Sequence, residues 1–289
     1  MNTAKIAIIC DSGTDVPTWF AKEHDVRIVP LGITYSDGIT LRAGVDITES
    51  EVVARFAQEI PTTSLPSPQD IRDAFDQARA DGYERAVMVT ISSGLSSTNQ
   101  TSHLIASQLE DFPVIVIDTL SIGVAAGLVV MAAAEMVESG VPFETLEDKL
   151  NLLSKFTKVF FCVKDLKYLR KGGRIDALTY RIGSVLNIKP IIWCDEVGYY
   201  RTYRKGRGWE RTLKQEFKCI QEFAEQNVRS RLAVACTDAS KCFEMVEGWM
   251  REGVPNIVEI VRAGISPALL VLTGPELVGM AVQPDWHTL

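Results

Sequence analysis

Three continuous apolar runs mark the first half of the chain: KIAIIC (5–10), RAVMVTI (85–91) and PVIVID (113–118). Each ends in polar residues, the pattern of a parallel strand buried on both faces that runs into a loop. VRIVPLGITY (26–35) reads as a further extended run. Helical segments lie between the runs. Thr48 and Glu51 form a capping box for a helix to about residue 59. Ser67 as N-cap and Pro68 at N1 open a helix through about residue 80. Another helix follows ISSGLSS, and two more are expected near 121–138 and 143–155. This strand–loop–helix rhythm predicts a parallel sheet covered by helices on both faces. The loop PTTSLPSP (61–68) stands between two of the helices.

The second half changes character. KVFFCV (158–163) is a strand, and LKYLRKGGRID (166–176) is a turn of helix broken by a double glycine. KPIIWCD and YYRTYRK, around Glu-Val-Gly, predict a hairpin over 189–205. A helix over 207–227, a strand at 231–238, a helix at 239–251 and strands at 256–264 and 276–283 complete the pattern, with a short helical SPALLVL (266–272) between the last two strands. The expected fold is α/β with two domains. Residues 1–155 form an α/β domain with a parallel sheet flanked by helices. Residues 156–289 form an α+β domain with a mixed or antiparallel sheet.

Composition narrows the function classes. Hydrophobic residues make up 46% of the chain and charged residues 23%, enough for a substantial core. The formal net charge of −7 argues against nucleic acid or an anionic membrane as partner, since phosphate binding needs a basic surface. The longest apolar stretch, AAGLVVMAAA (125–134), stops at Glu135 and is too short to span a bilayer. MNTAKIAIICDSG enters a strand at once and lacks a signal-peptide pattern. Cys10, Cys162, Cys194 and Cys236 sit in strand-like runs and are expected to be buried free thiols, which suits a reducing cytoplasm. No CxxC occurs, and with only His24, His103 and His287 a histidine-based metal site is not expected.

Three Ser/Thr-rich loops occupy corresponding places: DSGTD (11–15), TTSLPS (62–67) and SSGLSS (92–97). In open α/β sheets ligands bind at the carboxyl ends of the strands. SSGLSS also precedes a helix, whose first N–H groups are unpaired and favour an anion. A serine nucleophile would need a base and a G-x-S-x-G elbow; the order here is S-x-G. A P-loop would need a lysine after the glycines, and SSGLSST has none. A lysine-free phosphate cradle and plain helix capping by Ser92, Ser93 and Ser96 both remain open. A carboxylate clamp of hydroxyls and amides fits the loops better. Arg174 in KGGRI is the candidate cation, with a guanidinium fork suited to carboxylate or phosphate; the alternative is a surface arginine beside Arg170 and Lys171.

Taken together, IAIICDSGTDVP, TTSLPSP, ISSGLSSTNQTS, VIDTLSIGVAAG, VKDLKYLRKGGRI, LNIKPII and GPELVG resemble the DegV family of bacterial fatty-acid-binding proteins. They occur in family order over nearly the whole chain, and KDLKYLRKGGRI is the most distinctive. The resemblance implies a long-chain fatty acid held between the two domains, with no other cofactor. It implies that Thr63 and Ser93 hydrogen-bond the carboxylate, with Ser64, Gly94 and Ser96 beside them. Arg174 would present that carboxylate to a partner, an ATP-dependent fatty acid kinase, and the chain itself would be a cytoplasmic carrier without catalysis of its own. Three positions depart from the family pattern: Leu272 where a histidine is frequent, Glu276 where a small residue is usual, and Leu65 where glutamine is common.

Burying roughly 15 methylenes at about 0.8 kcal/mol each is worth about 12 kcal/mol before ordering costs, enough for tight binding. Such a chain needs a long dry tunnel. IGVAAGLVVMAAA (122–134) and SPALLVL offer lining from Ile122, Val124, Leu128, Leu269 and Leu272, the alternative being ordinary core helix. Two further functions stay open at this level: serine-dependent acyl or phosphoryl chemistry on a small substrate, and a regulatory protein that senses lipid.

Overall fold

The computed structural model describes residues 2–175, 188–237 and 239–289. Asp176, Leu186, Asn187 and Asp238, which belong to segments quoted above, lie outside the described residues.

The first sheet is parallel throughout, in the order β2-β1-β6-β7. Its strands are β1 (Ile6–Asp11), β2 (Arg27–Val29), β6 (Arg85–Thr90) and β7 (Val114–Asp118). Its two faces bury different cores. Ala7, Ile9, Met88 and Val116 pack under α3 (Pro68–Ala80) and α4 (Thr98–Ala106), with Ile71, Phe75 and Ile105 opposite. Ile8, Cys10, Val87, Val89 and Ile117 face α5 (Gly123–Glu138). The predicted caps form: Thr48 and Glu51 close a capping box on α2 (Glu49–Arg55), and the Ser67 hydroxyl accepts from the Asp70 N–H.

VRIVPLGITY does not form one strand. Pro30 has no N–H for a ladder, and the Leu31 N–H goes to the Ser12 hydroxyl at 3.0 Å. The chain therefore leaves the first sheet after β2 and starts β3 (Gly32–Thr34) in a separate antiparallel sheet of order β4-β3-β5. Its other strands are β4 (Thr40–Arg42) and β5 (Thr62–Ser64). The segment expected as a Ser/Thr loop is thus in part a strand, with Thr63 opposite Ile33 and Ser64 opposite Gly32.

The second sheet has six strands in the order β10-β9-β8-β13-β11-β12. These are β8 (Lys158–Val163), β9 (Ile188–Cys194), β10 (Tyr200–Arg207), β11 (Ser230–Cys236), β12 (Ile257–Ala263) and β13 (Leu277–Pro284). All pairs are antiparallel except β11 with β12, so the mixed sheet expected of the second half is present. One face is covered by α8 (Trp209–Ala224) and α9 (Ala239–Gly253). The other face meets α5, which lies between the two sheets and touches β1 and β6 on one side and β8, β11 and β13 on the other. That position explains why α5 is apolar all round: every residue from Gly123 to Ala134 is buried. Gly127 lets α5 cross the first loop, since a Cβ there would stand 2.7 Å from the Thr14 carbonyl oxygen.

Cys236 corrects the thiol expectation. It is disulfide-bonded to Cys242, six residues on, with Cα atoms 6.5 Å apart. The strand end and the opening turn of α9 bring the two together, which a spacing of six residues does not announce. Cys10, Cys162, Cys194 and Cys219 are free and buried. Among the described residues no helix is long and apolar enough to cross a membrane.

Candidate functional site

Because β1, β6 and β7 are parallel, their carboxyl ends meet at one sheet edge. Acidic residues at two of these ends organise the loops. Asp11 is fully buried; its Oδ1 accepts from the Gly13 N–H and its Oδ2 from the Ile91 N–H, both at 2.8 Å. Asp118 Oδ1 accepts from the N–H groups of Ser93 (3.1 Å) and Leu120 (3.0 Å). Ser92 donates to the Gly198 carbonyl at 2.9 Å and accepts from the Gly94 N–H at 3.1 Å. The tip of the β9–β10 hairpin is thereby fastened onto the SSGLSS loop. Gly94 permits that closeness, since a Cβ there would meet the Gly198 carbonyl at 2.9 Å.

Among the described residues, an outer and an inner cavity lie behind this edge. The outer one is partly open to solvent and carries nearly all the polarity: Thr63 and Ser64 from β5, Ser96 from the loop, and Arg174. Its apolar lining includes Leu31, Leu95 and, from α10 (Pro267–Thr273), Leu269 and Leu272. Arg174 follows α7 (Lys167–Gly172), which ends at Gly173 in the left-handed conformation (φ 72°). Its Nη1 donates to the Gly172 carbonyl at 2.6 Å and its Nε approaches the Leu95 carbonyl at 3.5 Å. The guanidinium is half-buried and has no carboxylate partner among the described residues. Leu272 reaches over Gly172, whose missing side chain makes room for it.

The inner cavity is almost wholly apolar. Val159 and Phe161 of β8, Ala235 of β11, and Leu277 and Gly279 of β13 form its sheet wall. Ile122, Gly123 and Val124 close it from the start of α5. Ile122, Tyr200 and Leu269 line both cavities and so stand between them.

Of the residues expected at a carboxylate site, Thr63, Ser64, Ser96 and Arg174 come together in the outer cavity. Ser93 and Gly94 line neither cavity. The Ser93 N–H is held by Asp118 and Gly94 lies against Gly198, so both shape the loop. Ser96 shares a 2.8 Å hydrogen bond with the Thr98 hydroxyl and accepts from the Thr98 N–H at 3.3 Å, so one hydroxyl both starts α4 and faces the cavity. Ile122, Val124, Leu269 and Leu272 line one cavity or both, whereas Leu128 is fully buried in the core and lines neither. Glu276 pairs with Lys164 at the surface.

Tyr200 was not singled out by its sequence context. It is 4% exposed and lines both cavities. Burial pushes its acidity well out of reach, with Arg174 the one nearby group that opposes this. None of the histidines lines either cavity: His24 pairs with Glu138, His287 with Asp285, and His103 is exposed on α4. Among the described residues no group of three or more His, Cys, Asp or Glu is placed to hold a metal ion.

Asp15 lines the inner cavity, and burial pushes its carboxyl up to about 8, opposed by hydrogen bonding from Ser266. Asp11 is pushed up to about 7 by the same cause, opposed by the Ile91 and Gly13 N–H groups. A raised carboxyl binds its proton more tightly in the folded state. Its contribution is complete below the unfolded value of 3.8 and is lost as pH climbs through the folded value. Wild type should therefore lose stability relative to Asp15→Asn between about pH 4 and pH 8. Urea midpoints across that range check this; a difference that stays constant with pH would remove Asp15 as the cause.

The two sheets, the helix between them and the cavities at one sheet edge define a two-domain α/β fold. The chain belongs to the DegV family, whose model, described as "Uncharacterised protein, DegV family", matches residues 5–285. It is 33% identical over 284 residues to a DegV domain-containing protein of Clostridium perfringens, covering 97% of this chain and 99% of that one. It is 30% identical over 290 residues to a protein of Thermotoga maritima named fatty acid-binding protein, covering 96% and 98%. A solved stearic acid-binding protein from Eubacterium ventriosum superposes with a TM-score of 0.88 at 27% identity over the whole of both chains.

Proposed function

We propose that this protein binds a long-chain fatty acid, with the acyl chain in the inner cavity and the carboxylate in the outer one. The observation that carries this reading is the contrast between two adjoining cavities. Arg174, Thr63, Ser64 and Ser96 line one, and the other is apolar. A carboxylate gains charge-assisted hydrogen bonds from such a set, and a methylene chain gains from leaving water. Tyr200, at the junction, offers a further hydroxyl, while Ser93 and Gly94 hold the loop that carries Ser96. The names of the relatives support the same ligand class.

The family resemblance extends the reading to a carrier that presents the bound acid to an ATP-dependent kinase, with the domain break near residue 155. Arg174 is half-buried rather than enclosed, which leaves the carboxylate end reachable. Leu272 occupies the outer cavity where the family often has histidine, so the hand-off here would proceed without an imidazole at that position.

Calorimetric titration of delipidated protein tests the binding. Palmitate and oleate should saturate it at one site per chain, and butyrate should give no heat. Equal affinity for long and short acids would leave the apolar cavity without a role.

A further inference from the structure

Asp15 is out of place in the inner cavity. Its neighbours there are Ile122, Gly123, Val124, Phe161 and Leu269. Its backbone is left-handed (φ 47°), a conformation that non-glycine residues hold only where the surroundings impose it. The Ser266 N–H donates to its Oδ1 at 2.9 Å. Its Oδ2 is buried and makes no hydrogen bond among the described residues, while the Ser266 hydroxyl, which also acts on this carboxyl, is likewise buried and unpaired. The Asp15 Oδ2 lies at the start of α5, where a Cβ on Gly123 would stand 3.4 Å from it. Gly123 lines the same cavity, so the oxygen sits at the wall of the acyl space.

An unpaired polar atom in an apolar space is costly, and native proteins rarely keep one without a use. A plain methylene chain cannot relieve it. We propose that the inner cavity accepts an acyl chain carrying a hydroxyl group, which pairs with Asp15 Oδ2 and makes Asp15 a specificity-determining residue for oxygenated fatty acids. The carboxyl is held neutral at this site by burial, so it can donate to a hydroxyl oxygen or accept from a hydroxyl hydrogen. Asp11 and Glu49 are the charged groups that act on it, and both favour the neutral form. Tyr200 lines the same cavity and lies within electrostatic reach of Asp15.

This inference rests on the fatty-acid reading, and the experiment separates the two. Affinities are measured for stearate and for a series of hydroxystearates with the hydroxyl moved along the chain. The proteins are wild type, Asp15→Leu and Asp15→Asn. In wild type at least one position in the series should bind about tenfold tighter than stearate, the worth of one well-placed hydrogen bond. Asp15→Leu should abolish that preference, read as the ratio of hydroxystearate to stearate affinity within the same variant, and Asp15→Asn, which keeps a donor and an acceptor, should retain it. A wild type that binds stearate and disfavours every hydroxy isomer would overturn the inference and leave the fatty-acid reading standing, as would a preference that survives in Asp15→Leu. Failure of wild type to bind stearate at all would overturn both. The wild-type comparison decides the matter even if a variant fails to fold.

Discussion

Ala235→Phe is expected to abolish binding of stearate while sparing acids several carbons shorter. Ala235 on β11 stands directly opposite Gly279 on β13. Both line the inner cavity. The pair belongs to a run of small residues on one face of the second sheet: Ala233, Ala235, Gly279 and Ala281 face α5, while Leu232, Val234, Met280 and Val282 face the opposite core. Two large side chains at 235 and 279 would close the space. A phenylalanine ring there displaces roughly four methylenes, each worth about 0.8 kcal/mol, so affinity for stearate should fall more than about a hundredfold. Titration with stearate and decanoate checks this. Equal losses for both acids would show that the chain does not run over Ala235.

The second large effect is expected at Arg174. Its guanidinium uses two donor positions on the Gly172 and Leu95 carbonyls and retains others toward the outer cavity. Arg174→Ala should cost about 1.5–3 kcal/mol in binding, roughly ten- to a hundredfold, as for a lost charged hydrogen bond. Arg174→Lys should recover only part, because an ammonium cannot reproduce the planar fork. The fatty alcohol of matching length supplies the control, since it has no charge to read. Its affinity should be nearly the same in wild type and Arg174→Ala. If acid and alcohol lose affinity equally, Arg174 supports the cavity wall and does not recognise the carboxylate.

The parallel sheet, the caps of α2 and α3 and the strands of the second half were legible because local signals there agree with the tertiary outcome. KIAIIC and RAVMVTI are apolar on both faces because helices cover both faces of the first sheet. VRIVPLGITY misled because period and propensity do not say which sheet a strand joins; Pro30 and the Ser12 hydroxyl decide it. The Thr63, Ser64, Ser96 and Arg174 constellation was found through motifs, whereas Ser93 and Ser96 have indistinguishable contexts in sequence. Only the hydrogen bond from the Ser93 N–H to Asp118 and the lining of the cavity separate them.

Tyr200 and the small-residue wall were missed for a physical reason. In LAVAC and LVGMAV the alternation of large and small is plain, but period two does not tell which face meets α5. Leu128 shows the converse. Every residue from Gly123 to Ala134 is buried, so the sequence of α5 cannot say which of them touch the cavity. Asp15 looked like half of a polar loop, and only its unpartnered oxygen beside Gly123 sets it apart.

Native mass spectrometry of freshly purified protein tests the central claim most directly. The expected spectrum shows one added mass per chain that matches a long-chain fatty acid, plain or hydroxylated, and that is lost on delipidation and restored by added palmitate or oleate. A clean apo mass that takes up neither acid would contradict the account.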